Sequence, residues 1–302
     1  MRRLLGEGHR VEAIVRPGTE LWRLGDLGRE LALHELDLRD SEAVARLVSR
    51  LAPEWVFHLA AHGAYSSQTE VRRIFDTTLG GTVNLLEACL VAGFAAFVNA
   101  GSSSEYGHKD HAPSESEPLA PNSHYAVAKA AASMYCAYSA QRADAHAVTL
   151  RLYSVYGPWE EPARFIPTLL ARGLDGQLPP LVNSDVARDF VYVDDAVDAC
   201  LLAAQAPETP RGAIYNVASG VQTTIRDAVE LASRLLAIEA EPRWGSMSDR
   251  QWDTDVWVGD SSLIAERLGW QPRHDLEAGL AATAEWLRSD PQLLDRYLRG
   301  AA

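Results

Sequence analysis

The chain has 302 residues, a mass of 33.0 kDa and a formal net charge of −13, with 47% hydrophobic and 23% charged residues. These values are typical of one large α/β unit or two coupled domains, and they exclude disordered, collagen-like and coiled-coil chains. The negative charge disfavours nucleic acid and membrane surfaces as partners.

Short apolar segments alternate with helical segments along the first two-thirds of the chain. Helical spacing of apolar residues occurs at 41–51, 82–92 and 126–141. This alternation predicts a parallel sheet with helices on both faces, and right-handed connections make it a doubly wound, Rossmann-type α/β sheet. The predicted strands are 11–16, 31–38, 55–61, 94–102, 148–156 and 190–193.

The alternating pattern ends near residue 159, where Pro, Gly and Asp become frequent. Helices are predicted at 166–174, 225–237 and 275–288. We therefore expect a smaller, discontinuous α/β substrate domain. The predicted dinucleotide-binding domain comprises 1–158 and 188–210, and the substrate domain comprises 159–187 and 211–302.

The chain opens with what reads as the end of a helix, followed directly by a strand. In a doubly wound sheet the first strand is central, and its glycine-rich turn holds the cofactor pyrophosphate. Gly6 and Gly8 do not make this turn, and Gly8 is better explained as a helix C-cap. We expect the natural protein to carry about twenty further residues before Met1, with that strand and turn.

Tyr125-Ala-Val-Ala-Lys129 is the strongest chemical signal in the sequence. The two residues lie four apart, on one face of a helix that begins near Ser123. A nearby ammonium lowers the pKa of a phenol, which suits general acid/base work. An ordinary surface pair is the alternative, but among 28 basic residues only Lys109 and Lys129 are lysines.

A serine-rich tract, Asn99-Ala-Gly-Ser-Ser-Ser-Glu-Tyr-Gly107, follows the fourth predicted strand. The carboxyl ends of parallel strands face the ligand crevice, so these hydroxyls are placed to hydrogen-bond a substrate oxygen. A polar turn without function is the alternative for the tract alone. Beside Tyr125 and Lys129 the functional interpretation is favoured.

Further segments extend the pattern along the chain. They are Asp37-Leu38, His58-Leu-Ala-Ala61, Asp76-Thr-Thr-Leu-Gly-Gly-Thr82, Arg151-Leu-Tyr-Ser-Val-Tyr-Gly-Pro158, Arg188-Asp-Phe-Val-Tyr-Val-Asp-Asp195, Tyr215-Asn-Val-Ala-Ser-Gly220, Arg250 and Leu268-Gly-Trp270. In order and spacing, the chain resembles the extended short-chain dehydrogenase/reductase family, the NAD-dependent epimerases and dehydratases of nucleotide sugars.

The resemblance implies a role for each matched position. Catalysis falls to Ser102, Ser103, Tyr125 and Lys129. NAD or NADP is contacted by Asp37, Leu38, Leu59, Ala60, Ala61, Thr78, Tyr125 and Lys129. The nucleoside-diphosphate sugar is contacted by Ser104, Ser154, Arg188 and Arg250, and no metal is implied. A homodimer in the cytoplasm is expected.

Three positions depart from the family pattern. Thr78 and Ser154 stand where the family usually has Asn. Arg16 ends the first predicted strand, where NAD-preferring relatives carry an acidic residue for the ribose hydroxyl. A guanidinium there suits a 2′-phosphate, so Arg16 favours NADP without excluding NAD.

The reaction at the sugar stays open among several classes. In 4,6-dehydratases of the family an Asp-Glu pair follows the catalytic hydroxyl, whereas Ser103 and Ser104 follow Ser102 here. Even with Glu105 in the Glu place, the Asp is missing. Hydride transfer at C4 by a 4-epimerase or a 4-ketoreductase is favoured. A 4,6-dehydratase or a non-catalytic NAD(P)-binding protein is the alternative, and the nucleotide is undetermined.

Overall fold

A computed structural model of the protein describes residues 1–65, 67–248 and 253–300. The strands are β1 (Val11–Val15), β2 (Leu31–Glu35), β3 (Trp55–His58), β4 (Ala96–Ser102), β5 (Ala147–Leu152), β6 (Ser154–Tyr156), β7 (Ala187–Tyr192), β8 (Ile214–Val217) and β9 (Gln222–Thr224). The helices are α1 (Arg2–Gly6), α2 (Ser41–Leu51), α3 (Val71–Phe75), α4 (Gly81–Ala92), α5 (His124–Ala143), α6 (Phe165–Leu174), α7 (Val193–Ala204), α8 (Ile225–Leu236), α9 (Ser262–Leu268), α10 (Leu276–Arg288) and α11 (Pro291–Gly300). Single turns of 3₁₀-helix lie at Ser103–Tyr106 and of π-helix at Asp76–Gly80.

The main sheet is parallel, as the sequence predicts. Four strands pair in the order β3-β4-β5-β8, and β1 pairs in parallel with β2. The rings of His9, two residues before β1, and Trp55, the first residue of β3, lie 5.8 Å apart, so the two groups of strands begin at the same end of the molecule, although no ladder joins them within the described residues. The carboxyl ends of these strands therefore open on one common edge.

Helices cover both faces of this sheet, which confirms the doubly wound arrangement. Phe97 packs on one side, with Leu86 of α4 and Cys136 of α5. The neighbouring Val98 packs on the other side, with Ala199 of α7. Successive side chains of a strand point to opposite faces, so a run of buried residues in β4 needs both layers.

A second, three-stranded sheet lies outside the main one. β6 pairs in parallel with β7, and β7 pairs antiparallel with β9. The predicted strand 148–156 is therefore two strands, because the N–H of Val155 donates to the carbonyl of Tyr153 and turns the chain between them. The predicted strand at 190–193 belongs to β7 and so to this second sheet.

The smaller lobe has a core of its own, in which α6, α8, α10 and α11 pack around Tyr156 and Phe190. The division into two domains stays a prediction, but the packing does not follow its predicted limits at two places. β8 pairs with β5 in the main sheet, and Ile264 and Trp270 pack in the main core, although the sequence assigned 211–302 to the smaller domain. β7, which begins where the larger domain was predicted to resume, packs in both cores: Phe190 and Tyr192 in the smaller one and Val191 in the main one.

Helices α3 and α4 run together with the π-turn as one helix, Val71–Ala92. Its length and composition would allow it to cross a membrane. Leu85, Leu86 and Cys89 are buried in the core beside α2, which is typical of a core helix. At the other end of the chain, Gly8 follows α1 with φ 83°, which confirms its prediction as a C-cap glycine.

Candidate functional site

Most of the predicted site residues lie at the carboxyl ends of strands. Arg16 follows β1, Asp37 follows β2, Leu59 follows β3 and Ser102 ends β4. Ser154 begins β6, directly after β5. Because these strands run in parallel, the residues share one edge of the sheet, where ligands bind in open α/β sheets.

The predicted Tyr–Lys pair lies at the start of α5. The hydroxyl of Ser123 accepts the N–H of Ala126, so Ser123 caps the helix and Tyr125 falls in its first turn, as predicted. Lys129 follows one turn later and is buried, with Nζ donating to the carbonyl of Ala100 on β4 at 2.7 Å. The helix therefore brings phenol and ammonium to the end of β4.

Burial acts on the pKa values of these two groups in opposite directions. It raises the pKa of Tyr125 to about 12, against the hydrogen bond from Ser102. It lowers the pKa of Lys129 to about 8, against the charge of Glu105. The sequence predicted a lowered phenol pKa, and this is wrong for the structure, because desolvation dominates and the ammonium faces the Ala100 carbonyl.

The serine tract forms a tight turn at the end of β4. Ser102 caps the 3₁₀ turn, and its Oγ lies 2.8 Å from Oγ of Ser104. Ser102 is the serine that acts on Tyr125 and lowers its pKa against the effect of burial. Ser103, also predicted as catalytic, is buried and lines a small cavity with Tyr153 and Trp257.

Glu105 closes this turn from inside the protein. Its carboxylate accepts the N–H of Ser102 at 2.8 Å and pairs with the guanidinium of Arg151 at 2.9 Å. Glu105 is fully buried and Arg151 is 3% exposed. No local pattern in the sequence pairs these two residues, although Arg151 lies in a segment that resembles the family.

The predicted adenosine end of the cofactor site borders an open cavity of about 530 Å³. Arg39 holds Asp37 through Nη2 at 2.6 Å, and it keeps the pKa of this carboxyl at about 2. Leu38 is buried against Gly81, and its carbonyl accepts Nδ2 of Asn84 at 2.8 Å. The cavity is lined by Asp37, Arg39, Asp40, Asp76, Gly80 and Asn84.

The loop after β3 is fixed by the π-turn opposite it. Thr78, which replaces the usual Asn, is buried there and makes two bonds to the backbone of His62, each 2.9 Å long. Leu59 in this loop is 61% exposed, with Ala60 and Ala61 beside it, at the carboxyl edge. The role of these three residues toward the cofactor stays a prediction.

The predicted diphosphate residues are only partly described. Arg188 lies on β7, donates to the carbonyl of Ala187 at 2.6 Å, and pairs with Asp253 at 2.5 Å. Its guanidinium lies 5.8 Å from the Trp257 ring. Arg250 lies outside the described residues, so its predicted role is neither supported nor opposed.

The sequence analysis missed two groups that act on Tyr125 and a third that pairs with one of them. Arg164 and Tyr65 both act electrostatically on the phenol. Burial raises the pKa of Glu160 to about 7, although Arg164 lies 3.3 Å from its carboxylate and opposes the shift. Residues after 159 have no strong periodic pattern, so nothing local indicated that this loop returns to the catalytic end of α5.

Comparison with known proteins gives the same picture. The model of the "NAD dependent epimerase/dehydratase family" matches residues 1–218. The chain is 31% identical over 310 residues to UDP-glucose 4-epimerase of Mycolicibacterium smegmatis, covering 96% of this chain and 94% of the relative. It is 31% identical over 237 residues to dTDP-glucose 4,6-dehydratase of Streptomyces griseus, covering 76% and 70%. The structure of MoeE5 in complex with UDP-glucuronic acid and NAD superposes with a TM-score of 0.82 at 30% identity, covering 95% and 94%.

Proposed function

Because the chain belongs to the NAD dependent epimerase/dehydratase family of enzymes, we propose that it is a 4-epimerase of nucleoside-diphosphate hexoses, with UDP-hexoses as its substrates. The similarity to a UDP-glucose 4-epimerase extends over 96% of the chain. Ser102, Tyr125 and Lys129 meet at the carboxyl edge of the sheet, where a sugar oxygen would exchange its proton.

The observation that carries this proposal is the state of Glu105. Loss of water across C5 and C6 of a sugar needs an acid or base that reaches those atoms. Ser103 and Ser104 offer hydroxyls only. Glu105, the one carboxyl of the turn, is fully buried and already accepts bonds from Ser102, Ser133 and Arg151. Dehydration therefore lacks its acid, whereas epimerisation at C4 needs none beyond Tyr125.

Each residue has a defined part in this proposal. A nicotinamide cofactor supplies hydride exchange at C4 when it is bound. Tyr125 takes and returns the proton of the C4 hydroxyl, and Ser102 orients that oxygen. Lys129, whose ammonium is held at the carbonyl of Ala100, contacts the cofactor. The cofactor is held by Asp37, Leu38, Leu59, Ala60, Ala61 and Thr78, and the substrate by Ser104, Ser154, Arg188 and Arg250.

Proton NMR of the sugar product tests the reaction class. The protein is incubated with NAD or NADP and with UDP-, dTDP-, GDP- or CDP-glucose. We expect the C4 epimer of the UDP sugar, with no methyl doublet from a 6-deoxy sugar. A 4-keto-6-deoxy product would contradict the proposal, and turnover of another nucleotide alone would contradict its choice of UDP.

Tyr125→Phe should remove turnover while leaving nucleotide-sugar binding nearly intact. The substitution removes the proton-transferring oxygen and keeps the ring, and loss of general acid/base catalysis costs about 10²–10⁴ in rate. The comparison of kcat with the dissociation constant from calorimetry measures both. Full activity of the variant would exclude Tyr125 from the mechanism.

A 4-ketoreductase using NADPH is the second candidate, and one observation favours it. Arg16 acts on the carboxyl of Asp37, and Arg16, Arg39 and Arg73 all act on His62, whose pKa is lowered mainly by burial. Three guanidinium groups thus act together on His62, and one of them, Arg16, directly follows β1, where the adenosine ribose is expected. Such a cluster suits a 2′-phosphate, so we propose that NADP binds more tightly than NAD.

Arg16→Asp tests this preference. A charge-assisted bond to phosphate corresponds to about ten- to a hundredfold in affinity, so we expect the ratio of NADP to NAD affinity to fall by that factor. Arg10→Asp is the control, because Arg10 is an exposed arginine six residues earlier and changes the net charge equally. Equal affinity ratios in the two variants would show that Arg16 is a surface residue without a role in the choice of cofactor.

We also propose that two copies of the chain form a homodimer through α4 and α5. These helices are neighbours, joined by the bond from Tyr135 to Glu87. They expose Val91, Val127, Met134 and Tyr138, the first of them 89% exposed. The charged pair of Arg142 and Glu87 borders these side chains, so a second copy turned by 180° offers both an apolar surface and opposite charges.

Tyr138→Glu should convert the dimer to a monomer in light scattering after gel filtration. A carboxylate in the centre of an apolar interface loses hydration without gaining a partner. Val221→Glu is the control, because Val221 is also 61% exposed but lies on the loop before β9. A monomeric wild type, or the same mass for both variants, would refute the interface.

A further inference from the structure

Glu105 makes more bonds than the closure of a turn requires. Its Oε1 accepts the N–H of Ser102 at 2.8 Å and the hydroxyl of Ser133 at 2.9 Å, and its Oε2 accepts Nε of Arg151 at 2.9 Å. A Cβ atom on Gly101 would lie 2.9 Å from Oε1. Glycine at this position therefore leaves room for the carboxylate against the backbone of β4.

These bonds join three elements of the site. Ser102 ends β4, Arg151 lies on β5, and Ser133 lies on α5, one turn after Lys129. Lys129 itself bonds to Ala100, two residues before Ser102. Carboxylate and ammonium thus bind the backbone of β4 on either side of Gly101.

We propose that Glu105 is a positioning residue: it fixes Ser102 against the helix that carries Tyr125 and Lys129, and it is the anion that keeps the Lys129 ammonium charged inside the protein. The positioning role rests on the proposed function, in which Ser102 and Tyr125 act on the sugar hydroxyl. The electrostatic part does not depend on the proposed function, and it rests on the placement of Glu105 and Lys129 at the β4 backbone on either side of Gly101.

The other groups that act electrostatically on Lys129 supply no negative charge near pH 7. Cys136 and His58 face the ammonium as well. Burial raises the pKa of the Cys136 thiol to about 12 and lowers the pKa of the His58 imidazole to about 3, so both are neutral near pH 7. Glu105 raises the pKa of Lys129 against the effect of burial. It also raises the pKa of Tyr125, which Ser102 and Arg164 lower and Tyr65 raises.

The lysine content of the chain allows a direct measurement. Only Lys109 and Lys129 are present, so lysine labelled with ¹³C at Cε gives two NMR signals whose pH titrations can be followed separately. Lys109, which pairs with Glu117 outside this network, is the internal reference. The wild type should show one midpoint near pH 8, from Lys129.

Glu105→Gln keeps the size and one acceptor oxygen but removes the charge. We expect the Lys129 midpoint to fall by about one pH unit or more, because the nearby opposite charge is lost, while Lys109 does not move. The single variant leaves the buried Arg151 without a counter-charge and thus endangers the fold. Glu105→Gln with Arg151→Met removes both charges and should show the same fall. An unchanged Lys129 midpoint in either folded variant would overturn the proposal.

Ser133→Ala tests the positioning part with the charge left in place. We expect the rate of hydride transfer, followed at 340 nm in a single turnover, to fall about tenfold with no change in KM, since a bond to a charged group is lost. Ser139→Ala is the matched control, a buried serine six residues further along α5. Equal rates in the two variants would refute the positioning role. The NMR titration needs no substrate, so a shifted midpoint without turnover of any nucleotide sugar would refute the proposed function and leave the Glu105 assignment standing.

Discussion

The ion pair between Glu105 and Arg151 is the interaction on which the reactive end of the sheet depends. Removing these two charges from water costs several kcal/mol for each charge in lost hydration. A well-aligned ion pair with further hydrogen bonds offsets a cost of about this size. Here the further bonds come from Ser102 and Ser133 to the carboxylate and from Arg151 to the hydroxyl of Tyr106 at 2.7 Å. The pair is therefore stable only with β4, β5 and α5 in their observed positions. The same condition places Ser102 beside Tyr125.

Burial makes Tyr125 and Lys129 poorer ions than they are in water. The phenol of Tyr125 resists losing its proton, and the ammonium of Lys129 loses its proton more readily, although the charge of Glu105 opposes this second effect. In the proposed reaction, hydrogen bonds from the bound substrate replace the water that burial has removed from Tyr125, so that proton transfer depends on substrate binding.

The local part of this site could be read from the sequence, and the long-range part could not. The Tyr125 and Lys129 pair, its cap at Ser123 and the bounds of α2 follow from spacing over a few residues. Glu105 and Arg151 lie 46 residues apart, so only the tertiary fold reveals them as partners. β8 was missed because four residues carry too little periodicity, and the break at Tyr153 depends on one backbone bond.

Strand β7 connects the smaller lobe with the main part of the molecule, since its side chains pack in both cores. Asp189 is fully buried and accepts N–H groups from Ser219, Gly220 and Gly259, all on the side of the main sheet. Arg188, the adjacent residue, points to the opposite face of the strand and reaches Asp253 and Trp257. One rigid strand thus fixes the position of the Arg188 guanidinium relative to the buried contacts of Asp189. Under the proposed function, this strand sets the distance between the sugar hydroxyl and the diphosphate that Arg188 holds.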